Sequence, residues 1–197
     1  MIEGPPGGRE AWDPQLTNLL GAITVAISDR VRAATEQVAG LGAAGPAALV
    51  ALAELADGAP IERLRGVLGL THSGCVRLVD RLADAGLVRR VAGPDRRAVS
   101  IVLTKPGRVA ARRVRDARAA AIDPLLAGLT AGERRRLHAL AITLAAAITR
   151  QRLEDRADGR AVEGGWLCRL CDFTACGRNE GRCPAANLAA QSARTAR

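Results

Sequence analysis

Four of the chain's five cysteines fall within 16 residues, as Cys168, Cys171, Cys176 and Cys183 in a C-x2-C-x4-C-x6-C array. Thiolates bunched this closely can share one metal centre, and a peptide containing Gly177 and Gly181 has the freedom to wrap it. The 167 residues before the array hold a single cysteine, so chance bunching is a poor account of it. In a reducing compartment clustered cysteines point to metal ligands or redox groups rather than to disulfides, and a metal centre is expected ahead of free structural thiols or an oxidisable set. Tetrahedral zinc would staple a tail too small to fold alone, but zinc sites more often show two Cys-x2-Cys knuckles, and only one is present. One tight pair, two wider-spaced cysteines and Pro184 directly after Cys183 match iron–sulfur ligation. The expected cofactor is one centre on four cysteines, an iron–sulfur cluster slightly ahead of zinc because it would supply the sensing element that the rest of the chain lacks, with Arg169, Arg178 and Arg182 offsetting the negative charge in either case. Neither of the two histidines, His72 and His138, has a carboxylate or nucleophile motif beside it, so no enzyme active site is expected.

A second set of residues suits nucleic acid. After Thr71, a good N-cap, Cys75, Leu78, Val79 and Leu82 recur at three- and four-residue spacing and make one buried stripe. His72, Ser73, Val76, Arg77 and Arg81 occupy the opposite face: hydrogen-bond donors, a methyl-bearing contact and two guanidiniums, suited to base edges and flanking phosphates. Gly86 ends that helix. The β-prone runs 88–92 and 98–103, joined through Gly93-Pro94-Asp95, pair as a hairpin with Arg96 and Arg97 at its tip, well placed for a minor groove. Upstream, Ile61, Leu64 and Leu68 line a short helix beginning near Pro60, with Gly69 in the following turn. Together these segments make a winged helix-turn-helix.

At RLVDRLADAGLVRR (77–90), DRRAVSIVLTKPGR (95–108) and LTAGERRRLHAL (129–140) the chain resembles the MarR family of bacterial transcriptional regulators, over roughly residues 12–152. The wing string is the most specific of the three. The resemblance implies a homodimeric regulator in which the helix at 71–85 enters the major groove, Arg97 reaches the minor groove and Asp95 orients the wing. It also implies, as a further possible partner, a small phenolic or lipophilic effector, or a response to cysteine oxidation.

Composition agrees with a polyanionic partner: the net charge is +9. Only one of the 29 cationic residues is lysine, a bias of the kind a GC-rich genome produces, so the total charge says less than the placement of Arg77, Arg81, Arg89, Arg90, Arg96 and Arg97 around one helix and one wing. With no Tyr, one Phe and two Trp there is no stacking platform for single strands, which leaves duplex DNA. The polar, Gly/Pro-rich start and the lack of a long uncharged apolar run predict no signal peptide and no membrane span, hence a cytoplasmic protein.

The elements that must position these groups are helical. Leu16, Leu20, Ile23, Ile27 and Val31 stripe a long helix over 13 to about 38. A short apolar helix covers 47–56. Another long helix opens at Thr104 and bends or restarts at Pro124, and Leu137, Leu140, Leu144 and Ile148 stripe a last one capped by Thr130. The first and last helices carry more apolar surface than one small domain easily covers; either an intramolecular core or a second copy would bury it, and the resemblance to the MarR family implies the second copy. Cys75 and His138 read as core or half-buried positions, and Arg134, Arg135 and Arg136 as a solvated face. The predicted fold is mainly α, a winged helix-turn-helix with a two-stranded β wing and long flanking dimerisation helices. The predicted organisation is a flexible 1–12, the winged-helix domain at 13–152, a linker at 153–165, the cysteine segment at 166–188 and a flexible tail at 189–197. The expected function is a dimeric DNA-binding regulator, a repressor on a pseudo-palindromic operator, modulated or stabilised by the cysteine centre. The rival readings are a metal- or redox-responsive protein-interaction module and a small iron–sulfur redox protein.

Overall fold

The computed structural model describes residues 13–42, 44–93, 99–160 and 164–195. Helix α1 (Pro14–Ala39) starts at Asp13, whose side chain accepts from the Leu16 amide, and ends at Gly40. Its C-terminal half packs on the later helix α5, where Arg30 Nε donates to the Ala121 carbonyl at 3.3 Å. Helix α2 (Ala44–Ala51) is the centre of the core, with all residues from Gly45 to Ala51 buried. It runs directly into a π-helical turn at Leu52–Ala56.

The helix-turn-helix follows. Strand β1 (Ala59–Pro60) leads into α3 (Ile61–Leu68), Gly69 makes the turn, and α4 (His72–Asp84) is the second helix. Gly69 has φ +68, a left-handed conformation that a side chain disfavours. Thr71 caps α4 as expected, accepting from the Gly74 amide at 3.1 Å. Strands β2 (Val88–Ala92) and β3 (Val99–Leu103) form the hairpin predicted for the wing. The sheet is not two-stranded, however: β1 pairs antiparallel with β3, Ala59 opposite Ile101 and Pro60 opposite Ser100, giving the order β1-β3-β2. A two-residue strand containing a proline has no periodicity of its own, and it exists only because β3 offers an edge.

Helix α5 (Lys105–Ala127) is capped by Thr104, and α6 (Ala131–Ala157) by a full capping box between Thr130 and Glu133. No break occurs at Pro124, which lies in the last turn of an unbroken α5. Helix α6 continues to Ala157, beyond the 152 boundary expected for the domain, and α7 (Pro184–Thr195) extends over most of the stretch expected as a flexible tail. His138 is exposed rather than half-buried. One core unites α2, α3, α4, the sheet and α5, and Cys75 is fully buried within it. By contrast, none of the 27 residues of α6 is buried. Among the described residues no single helix is long and apolar enough to cross a membrane.

Candidate nucleic-acid interface and cysteine cluster

The face of α4 that the core leaves free is the one the residue pattern assigns to DNA. Cys75, Leu78, Val79 and Leu82 are buried. His72, Ser73, Arg77 and Arg81 are exposed on the other side, and Val76 is half-buried at its margin. Two side-chain contacts hold this helix in place. His72 Nδ1 lies 2.5 Å from Glu62 Oε1 on α3, and Glu62 also accepts from Arg65 Nε at 2.6 Å. These bonds, first from His72 and then from Arg65, hold the Glu62 carboxyl below its usual range. Arg90 Nη2 donates to Asp80 Oδ1 at 2.5 Å, tying α4 to strand β2. His72 is therefore engaged inside the helix-turn-helix, whereas among the described residues Arg77 and Arg81 form no ion pair. Arg89 stands exposed on the wing beside them. The expected wing-tip residues Asp95, Arg96 and Arg97 lie outside the described residues.

The four clustered cysteines come together in a second, small core with Phe173 and Ala185. Cys168 and Cys183 are buried, Cys171 and Cys176 half-buried, and all five cysteines of the chain are free thiols. Cys168 neighbours Cys171 and Cys176 neighbours Cys183, and Cys176 Sγ donates to the Phe173 carbonyl at 3.7 Å. The hydrogen bond from Cys168 draws the Cys171 thiol down to about 6 against the opposing effect of burial, and the nearby Arg118 and Arg178 guanidiniums lower it further. The same contact with Cys171, and then burial, push the Cys168 thiol up. Burial raises Cys176. Arg178 reaches Cys168 Sγ at 3.9 Å and stacks over the Phe173 ring, 4.6 Å from its centroid. Among the described residues no three of these side chains stand in the arrangement of a coordinated ion. What the fold supplies is a tight thiol cluster with cationic neighbours to balance added negative charge.

The cysteine segment is also bound to the winged-helix domain through groups that pattern reasoning missed: Trp166 against Arg63 and Val67, and Phe173 and Asp172 against Glu54 and Arg115. A signal for this contact was available. The chain has three aromatic residues, and two of them, Trp166 and Phe173, flank the first cysteines.

No protein-family model and no curated protein matches the chain. Solved structures do. A MarR family protein from Bacillus stearothermophilus is similar at 25% identity and a TM-score of 0.61, over 68% of this chain and 94% of that one. RV1404 from Mycobacterium tuberculosis is similar at 26% identity and 0.61, over 72% and 98%. A transcriptional regulator of the MarR family from Rhodococcus sp. RHA1 is similar at 25% identity and 0.54, over 69% and 96%. Each likeness spans nearly all of the solved chain and leaves more than a quarter of this one outside it. The chain has the winged-helix fold of MarR-family transcriptional regulators.

Proposed function

We propose that the protein is a DNA-binding transcriptional repressor that acts as a homodimer on a pseudo-palindromic operator. The observation that carries this reading is the free face of α4, where Arg77 and Arg81 stand exposed beside Ser73 while the opposite face is locked into the core. Two such helices related by a twofold axis would enter successive major grooves, with half-sites roughly one helical turn, about 34 Å, apart. Arg77 supplies base-edge donors, Arg81 and Arg89 meet phosphate, and the wing tip with Arg96 and Arg97 reaches the adjoining minor groove. The Glu62–His72 and Asp80–Arg90 pairs set the pitch of α4 against α3 and the wing, so that the face is preorganised.

Dimerisation is supported by apolar surface that one copy leaves bare. Leu16, Leu19, Leu20 and Ile23 on α1, and Leu137, Leu140, Leu144 and Ile148 on α6, are all exposed. A long helix with no buried residue draws its stability from a partner, since propensity alone is a weak source. A second copy burying both stripes provides one.

In this reading Cys168, Cys171, Cys176 and Cys183 hold one metal centre, an iron–sulfur cluster ahead of zinc, and the fit rests on four thiols already gathered in one small core. Bound there, the centre would supply cross-linking free energy to a segment whose own core has four buried residues. A small-molecule effector would be a further partner.

Selection of binding sites from a random duplex pool, followed by titration against scrambled DNA, tests the reading. The expected product is an inverted repeat bound by two protomers, with affinity falling steeply as salt rises. Equal binding to the selected and scrambled duplexes would refute it.

A further inference from the structure

The cysteine segment is docked on the helix-turn-helix rather than tethered beside it. Trp166 donates its amide to the Val67 carbonyl at 2.7 Å. The neighbouring backbones are in contact: a Cβ on Gly69 would stand 2.4 Å from the Gly164 carbonyl carbon, and one on Gly165 would stand 2.3 Å from the Val67 oxygen. Only glycine on both sides permits this seam, and Gly69 is the turn residue between α3 and α4. Arg63 of α3 lies over the Trp166 ring, 4.6 Å from its centroid, and Trp166 and Leu170 pack into the main core. On the other flank Glu54, in the π-helical turn, accepts from the Phe173 amide at 3.3 Å and pairs with Arg115. Arg115 Nε in turn lies 4.0 Å from Asp172 Oδ2. Leu55 touches both cores.

These contacts come from residues 164–173, the same stretch that carries Cys168 and Cys171. Whatever orders those two thiols therefore orders the surface that grips the α3–α4 turn. We propose that the cysteine cluster is a metal-dependent clamp on the helix-turn-helix: with one centre bound by the four thiols the segment holds the turn and fixes α4 for DNA, and with the centre empty the grip loosens and DNA affinity falls. This rests on the regulator and the four-cysteine centre proposed above. On binding metal the thiols lose their protons and the segment gains folding free energy that it cannot draw from so small a core. Since the gripped turn carries the recognition helix, metal and DNA share that ordering, and each tightens the other by the same factor. Couplings of this kind are worth roughly five- to 150-fold in affinity.

The test uses the full chain, reduced and anaerobic, with Zn²⁺ as probe. Operator affinity is measured by fluorescence anisotropy on the metal-free protein after chelation and on the same protein reloaded with zinc, and hydrogen exchange is followed at the Trp166 amide. The expected result is at least fivefold tighter operator binding with zinc, with slower Trp166 exchange. Trp166→Ala and Arg63→Gln should still take up one zinc per chain but show a smaller ratio between the two states. Zinc loss that leaves both operator affinity and Trp166 exchange unchanged overturns the clamp and leaves the regulator standing. Failure to bind zinc overturns the clamp together with the four-cysteine centre and leaves the DNA-binding regulator standing. Absence of sequence-specific DNA binding in every state overturns the regulator and the clamp with it.

Discussion

Leu140→Asp should break the dimer. Leu140 projects from the middle of the α6 stripe and keeps 61% of its surface exposed in the single chain. Burying a whole leucine side chain stabilises by about 1.5–3 kcal/mol, so the portion still exposed is worth roughly 1–2 kcal/mol on pairing. A twofold interface contains the residue twice, which makes the loss about 2–4 kcal/mol before the cost of desolvating two carboxylates is added. At about 1.4 kcal/mol per factor of ten, the monomer–dimer Kd should rise at least thirtyfold and up to several hundredfold. Sedimentation equilibrium over a range of concentrations reads this directly, and circular dichroism shows whether the winged-helix domain stays folded. Arg135→Asp, on the opposite face of α6, is the control and should leave the dimer intact. If Leu140→Asp sediments like the unaltered dimer, or if the unaltered protein is monomeric at every concentration, the apolar stripe on α6 is not an interface and the two-half-site geometry loses its basis.

Other outcomes follow from local geometry. Thr71→Ala removes the acceptor for the Gly74 amide and should cost about 1 kcal/mol in urea unfolding, with weaker operator binding as the first turn of α4 frays. The Glu133 carboxyl is held below its usual range by the Thr130 hydroxyl first and the Thr130 amide second. Because its folded pKa lies below the unfolded one, its contribution is complete above the unfolded carboxyl range and lost as pH falls through the folded value. Thermal melting should therefore show a drop between neutral and acid pH that is smaller in Glu133→Gln. Leu78→Ala, which hollows the buried side of α4, should cost about 2–5 kcal/mol by chemical denaturation.

What could be read from residue order was whatever local chemistry determines. Thr71 and Thr130 announce helix starts because a cap is settled within three residues, and two short β-prone runs on either side of a Gly-Pro-Asp turn signal announce a hairpin. The buried stripe of α4 followed from spacing alone. Contacts that depend on where distant segments meet were not legible. Strand β1 is created by β3, some forty residues away in sequence, and its Ala-Pro dipeptide gives no hint of it. His72 looked free for DNA because Glu62 comes within reach only once the turn at Gly69 folds α3 back on α4. His138 was expected to be half-buried beside Leu137 and Leu140, but among the described residues nothing covers that face of α6. Pro124 reads as a break, yet α5 runs through it to Ala127. The four cysteines declared themselves as a group through spacing. Their docking on Gly69, Arg63 and Glu54 did not, because each partner lies about a hundred residues away.

The central claim is that α4 reads base sequence, and Arg77→Ala tests it most directly. Operator and random duplexes are titrated in parallel at one salt concentration against the unaltered protein and the variant. Loss of a base-edge contact should weaken operator binding by about 1–3 kcal/mol while random DNA is affected far less, so the specificity ratio collapses. Equal losses on the two duplexes, or none on either, would contradict the assignment of α4 as the recognition helix.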